Sequence, residues 1–320
     1  MTIMNIKHIF SFAVLAVMTA ACSSEDIIQQ PTFQSGQTLP FRATISAYAG
    51  TRGLIEAADG KSITAKWEVT EKIALVHSRL DDAKKPIVDV MEVKYVESNT
   101  GNACIEGTIN NYVEGETVYL VYTGHNEMSM NDYLGVMEIT LDAAKAYALA
   151  NSQPEPTAIT QEMIIGSFGI PREGTLADIN DCSDYRLGTS TLIKKNFNGT
   201  EYVTFGSDAP TLSSQFAMWK LTLTTDGTTA LEASQLYITC GGKTYPIDPT
   251  GDTTLSTFYV LLPASTNATY KFKATDGTNT YIVTYSGVTL AAAKYYCSTL
   301  TLKPATGTND YNIVTTVQEW

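Results

Sequence analysis

The chain has 320 residues, 44% of them hydrophobic, and a formal net charge of −12. That hydrophobic share is enough for packed cores, and the length suits two domains. The acid excess argues against nucleic acid or an anionic membrane surface as partner, because like charges repel.

The first 21 residues read as an export leader. Lys7 and His8 precede an apolar run from Ile9 to Met18, and small residues then lead to Cys22. A membrane-spanning helix needs about 20 apolar residues, so this shorter run marks secretion instead. Cys22, directly after Thr19-Ala20-Ala21, resembles a bacterial lipoprotein box, in which the cysteine takes lipid and becomes the mature N-terminus. The alternative is plain signal cleavage near Ala21, which leaves an exported free thiol open to oxidation. Residues 22–36 form a tether. Within it, Ser23-Ser24-Glu25-Asp26 resembles the acidic tag that sends some lipoproteins to the outer face of the outer membrane.

Leu39, Phe41, Ala43, Ile45 and Ala47 alternate with Pro40, Arg42, Thr44, Ser46 and Tyr48. Successive strand side chains point to opposite faces, so this spacing predicts a strand with one apolar face. It halts at Ala49-Gly50, and Arg52 follows at once, either as a solvated turn arginine or as a site of proteolytic processing.

Residues 37–165 are expected to form an N-terminal β-sandwich domain. Lys66-Trp67-Glu68 leads into an apolar strand at Lys72–His77, and Met91, Val93 and Tyr95 mark one buried face. Glu116–Tyr122 carries apolar residues at both parities, which predicts cover on both sides. Leu141–Ala150 is the one predicted helix, ending before Gln153-Pro154-Glu155-Pro156. From there to about Ser207, Gly166, Gly169, Gly174 and Gly188 break up apolar pairs, and the stretch reads as the end of the first domain plus a connecting segment.

Residues 166–303 are expected to form a C-terminal β-sandwich domain. Phe216–Thr224 places Ala217, Trp219, Leu221 and Leu223 on one face. Strands follow at Leu236–Cys240, Lys243–Ile247, Thr257–Leu262, Thr269–Ala274, Thr280–Tyr285 and Tyr295–Lys303, with hairpin turns at Gly241-Gly242 and Asp276-Gly277. Short strands rich in Thr, Tyr and Val indicate an all-β chain of antiparallel sandwiches. Residues 304–320 form a tail in which Tyr311, Ile313 and Val317 share one parity and Val314 and Trp320 the other. Two readings stand for it: a closing edge strand, or a strand donated to another molecule's sheet.

The chemistry-bearing residues are sparse. Cys104, Cys182, Cys240 and Cys297 form no Cys-x-x-Cys motif, and the body holds only His77 and His125, so neither a zinc site nor another metal or cofactor is expected. Two disulfides in any of three connectivities, or four free thiols, both fit. Nucleophile elbows, zinc-protease motifs and phosphate-cradling loops are missing from the sequence, so no enzymatic role is expected.

Taken in order, these motifs resemble the fimbrillins, the FimA-like and Mfa-like subunits of surface fimbriae. The resemblance rests on the box ending at Cys22, the Phe41–Ala47 strand with Thr51-Arg52, and Lys66-Trp67-Glu68 followed by Lys72-Ile-Ala-Leu-Val. It continues through Phe216–Leu223, Phe258-Tyr-Val-Leu-Leu-Pro and the Ala291–Leu302 stretch. It implies two tandem transthyretin-like sandwiches and a surface-exposed outer-membrane lipoprotein anchored at Cys22. It further implies a trypsin-like protease that cuts at Arg52, so that the first strand leaves its groove. The C-terminal strand of another fimbrial subunit, here Tyr311, Ile313, Val314, Val317 and Trp320, then fills that groove, in a homo- or heteropolymer used for adhesion. Stalk, anchor and tip positions all stay open. The rival reading is a surface lipoprotein that binds glycan or host protein without polymerising; for Tyr122, Tyr133 and Tyr285 two readings stand, the lining of its site or packing within the sheets. Separately, Asp252-Thr253-Thr254 resembles an O-glycosylation site at Thr253.

Overall fold

The computed structural model describes residues 37–46, 55–60, 63–64, 66–124, 130–168, 174–182, 185–206, 209–249, 253–305 and 318–319. In chain order the elements begin with β1 (Leu39–Ile45), β2 (Ile55–Glu56), β3 (Ile63–Thr64), β4 (Lys72–Leu80), β5 (Pro86–Val96), β6 (Ala103–Ile109) and β7 (Thr117–Tyr122). Three helices follow, α1 (Met130–Ala150), α2 (Gln161–Ser167) and α3 (Leu176–Cys182), and then β8 (Arg186–Phe197), β9 (Thr200–Phe205) and β10 (Ser213–Ser214). The remainder comprises β11 (Ala217–Thr224), β12 (Gln235–Cys240), β13 (Lys243–Ile247), β14 (Thr257–Leu262), β15 (Ser265–Thr275), β16 (Thr280–Leu290), β17 (Tyr295–Thr301), β18 (Lys303–Pro304) and β19 (Gln318–Glu319). Strand dominates, as the all-β reading expects.

The first sheet runs β10-β8-β7-β4-β5-β6-β1-β9, and β9 also pairs with β8, so the sheet curls round and closes on itself. This differs from the expected two-sheet antiparallel sandwich. The closure starts at Asn198 and Gly199, whose φ angles of 51° and 85° form the left-handed pair that a two-residue hairpin turn between β8 and β9 requires. β9 then meets β1 on its other edge, in parallel. Phe41, Ile45, Ile73, Leu75, Met91, Val93, Ile105, Leu120 and Val203 fill the enclosed core.

The opposite face of the same strands is also covered, as the two-parity pattern of β7 anticipates. Ala74, Val76 and Val121 meet Tyr133, Met137 and Leu141 of α1 and Ile164 of α2. Tyr133, Met137 and Leu141 recur every four residues, one helical turn apart, so packing carries α1 back to Met130 from the expected start at Leu141. Among the described residues no helix is long and apolar enough to cross a membrane.

Sheet membership changes between Ser214 and Ala217. Beyond it, β14-β11-β17-β19 faces β13-β12-β15-β16-β18 across a single core. Trp219 of β11 meets Tyr270 and Phe272 edge-on, at ring-centroid distances of 5.5 and 5.7 Å. This half is the layered sandwich that the alternation of Phe216–Thr224 suggests. Its β11–β17 pairing, however, is parallel, a direction that side-chain alternation does not encode.

Within the first sheet, His77 and Arg79 continue the inward parity of Ile73 and Leu75 on β4. The fully buried His77 places Nε2 3.1 Å from Asp89 Oδ2 and Nδ1 3.0 Å from Glu116 Oε2. Arg79 Nε lies 3.0 Å from the same Glu116 oxygen, while Asn110 donates from its side chain to Asp89 Oδ1 at 2.7 Å. Burial alone lowers the pKa of the imidazole, but the two carboxylates override it and hold the pKa above the ordinary histidine value. The two carboxylates thus favour the protonated ring over the neutral one.

Candidate functional site: the first strand in its slot

β1 carries out its sequence pattern residue by residue. Leu39, Phe41, Ala43 and Ile45 are buried, while Pro40, Arg42 and Thr44 face solvent. Along one edge it pairs with β6 over its whole length, from Leu39↔Ile109 to Ile45↔Ala103. Along the other edge a single registered pair, Phe41↔Val203, joins it to β9. The β1–β9 junction is thus the weakly laced seam of a closed sheet.

Phe41 is the anchor at that seam. Its ring meets Phe205 edge-on at 5.2 Å, and its backbone lies opposite Gly107 of β6. A Cβ on Gly107 would fall 2.5 Å from Met91 Sδ and 3.1 Å from the Val90 carbonyl oxygen, so only glycine fits between β5 and β1 there without displacement. On the solvent face, Arg42 Nε lies 3.2 Å from Glu106 Oε1.

The strand ends in a clasp at Ser46. Its backbone N–H donates to the Pro210 carbonyl at 3.1 Å, and its hydroxyl donates to the Ala209 carbonyl at 2.8 Å. Its own carbonyl accepts the Trp67 indole N–H at 3.1 Å. Trp67 is buried edge-on against Tyr122, whose hydroxyl donates to Glu71 at 2.7 Å.

The hairpin that follows β1 in sequence docks on the second half of the molecule. Glu56 of β2 accepts from Lys220 Nζ at 2.6 Å, from the Tyr295 hydroxyl at 2.8 Å and from the Tyr259 hydroxyl at 2.7 Å. Cys297 donates its thiol to the Gly60 carbonyl at 3.3 Å. Burial works to raise the Glu56 pKa, yet the hydrogen bonds from Lys220, Tyr259 and Tyr295 outweigh it and hold the carboxyl below the usual glutamate value. Burial and the bond to Glu56 push Tyr259 up to about 12.

At the far end of the chain, β19 pairs antiparallel with β17 of the same molecule, Gln318 opposite Cys297 and Glu319 opposite Tyr296. Cys22, Ala47, Arg52, Tyr311, Ile313, Val314, Val317 and Trp320 lie outside the described residues. Thr253 is exposed just ahead of β14. Cys104, Cys240 and Cys297 are free thiols, and Cys182 ends α3. Tyr122, Tyr133 and Tyr285 are buried core residues, which removes them as the lining of an exposed binding site.

The Ser46 clasp and the Glu56 cluster have no signature in the sequence, because their partners lie far away along the chain. Lys66-Trp67-Glu68 was a visible motif, but nothing in it names Ser46 as the acceptor.

No family model matches the chain, and no curated protein does. Solved structures that are similar include a fimbrial assembly protein from Parabacteroides distasonis, at 8% identity and a TM-score of 0.38, covering 82% of this chain and 90% of that one. A putative cell adhesion protein from Bacteroides ovatus matches at 12% identity and a TM-score of 0.37, covering 90% of this chain and 97% of that one. Another from Parabacteroides distasonis matches at 9% identity and a TM-score of 0.36, covering 88% and 96%. Likenesses at this level assign neither family nor role.

Proposed function

We propose that this chain is a structural subunit of a cell-surface fimbria, tethered at first through lipid on Cys22 and assembled by protease-gated strand exchange. The observation that carries this reading is the asymmetric lacing of β1, which pairs fully with β6 but at one position with β9. A trypsin-like protease cutting at Arg52 would sever β1 from the body. Its departure would open the sheet between β6 and β9 and leave unpaired backbone groups beside an apolar slot, a state poised to accept another strand. The C-terminal strand of another fimbrial subunit fills the slot, Tyr311–Trp320 is the strand this chain donates in its turn, and adhesion is the use of the polymer.

Energetics support a gate over spontaneous exchange. Burial of Leu39, Phe41 and Ile45 contributes roughly 1.5–3 kcal/mol each as an upper figure, enough to keep β1 seated while it stays covalently attached. Cleavage lets the strand diffuse away, and that hold is lost. On this reading the second half is a transthyretin-like unit, the first half is closed by its own leading strand, and Thr253 is an exposed acceptor for O-glycosylation.

One observation favours the rival reading of a non-polymerising surface lipoprotein: the tail returns to its own molecule, where β19 borders β17. Trypsin treatment of the purified full chain separates the two. Polymerisation yields a ladder of SDS-resistant multimers whose new N-terminus begins at Gly53. A first cut mapped elsewhere, or a trimmed monomer that takes up no Leu39–Ser46 peptide, sinks the exchange mechanism.

A further inference from the structure

Glu106 stands in a row of cross-strand neighbours. On one side it is the register partner of Glu92 of β5, and on the other it is the partner of Arg42 of β1. Glu92 is matched by Lys94 within its own strand, at 2.6 Å, and Glu106 by Arg42, at 3.2 Å. Like charges directly opposite on neighbouring strands repel, so loss of β1 would strip Glu106 of its cation while Glu92 stays across from it. The vacated slot would carry an anionic rim above an apolar floor whose largest occupant, Phe41, sits over Gly107 and against Phe205.

The chain's own tail answers this slot poorly. Laid in the direction of β1, Tyr311, Ile313, Thr315 and Val317 take the inward places of Leu39, Phe41, Ala43 and Ile45, and Val314 then faces Glu106. Sliding the tail changes the neighbour without improving the charge, because residues 305–320 contain no lysine or arginine. An aliphatic group also replaces the phenyl ring that meets Phe205.

We propose that the slot between β6 and β9 selects an incoming strand that carries lysine or arginine opposite Glu106, and so takes its strand from a different subunit and not from a second copy of this chain. This rests on the strand-exchange reading above. The contribution is one of discrimination: an exposed pair adds little to affinity, whereas an anion at that register meets two glutamates.

The test uses the full chain cut at Arg52, with the protease then inhibited, and fluorescent peptides followed by anisotropy. The Leu39–Ser46 peptide is compared with its Arg42→Glu and Arg42→Val forms, and the Tyr311–Trp320 peptide with its Val314→Arg form. Arg42→Glu is expected to weaken binding about 10-fold and Arg42→Val about 3-fold, while Val314→Arg tightens the tail peptide about 3-fold. These differences should shrink in high salt. Glu106→Lys in the chain is expected to invert the order, and the milder Glu106→Gln to bring all forms within about twofold. Equal binding of all peptides to the unaltered chain overturns the selectivity and leaves exchange standing. Failure of every peptide to bind, the unaltered Leu39–Ser46 sequence included, removes the slot itself and overturns both.

Discussion

The Glu56 carboxylate lies 2.6 Å from the Lys220 ammonium, across 164 residues of sequence, and this contact fastens the hairpin after the first strand to the second half of the molecule. Glu56→Ala removes that pair and two phenol hydrogen bonds, at an expected cost of about 1–2 kcal/mol, discounted for the partial exposure of both groups. Because the folded carboxyl has a lowered pKa, its contribution is present above the ordinary glutamate value of about 4.3 and fades as pH falls through the folded value. Urea titrations at several pH values should show the gap between wild type and variant closing in acid. A gap that persists unchanged below that range would contradict the assignment.

His77 has the opposite sign. Its raised pKa means that the stabilisation is complete below about 6.5 and is lost as pH rises through the folded value, when the ring between Asp89 and Glu116 gives up its proton. His77→Gln leaves two buried carboxylates short of a cation, with Arg79 still beside Glu116, and is expected to cost about 3–5 kcal/mol. Imidazole nitrogen shifts measured by NMR check the charge state directly. A ring that titrates below the ordinary histidine value would refute the assignment.

Trp67→Phe keeps an aromatic ring beside Tyr122 but deletes the donor to the Ser46 carbonyl. The expected loss is about 1 kcal/mol, concentrated at the end of β1. Hydrogen exchange should quicken at the amides of β1 and stay unchanged in β11 and β17. Uniform quickening across both halves would show that Trp67 supports the whole fold and not the clasp.

Gly107→Ala forces a methyl group to within 2.5 Å of Met91 Sδ and 3.1 Å of a backbone oxygen, and overpacking of this kind costs about 1–3 kcal/mol. Met91→Ala costs stability by itself, yet in its background the Gly107→Ala penalty should fall, because one of the two obstructing groups is gone. A double-mutant cycle by chemical denaturation reads the coupling. Strict additivity would place the strain elsewhere.

Much of this molecule was legible before any coordinates. The alternation from Leu39 to Ile45 foretold which side chains of β1 are buried, and the limits of β13 and β14 coincide with the strands read from composition. Period-two patterning reports the environment of each side chain in turn, and that environment is local to the strand. β6 was less visible because Gly107 interrupts its inward face, and the start of α1 was hidden because sheet packing holds it.

The residues by themselves thus determined the leading strand, its apolar face and the strand-rich character of both halves. Only the tertiary structure decided that β9 closes the first sheet against β1, that Ser46 is held by Trp67 and that Glu56 reaches Lys220. The reason is physical. Alternation records whether a side chain meets water or core, whereas the partner, direction and register of a strand are set by backbone edges that come together from distant parts of the chain.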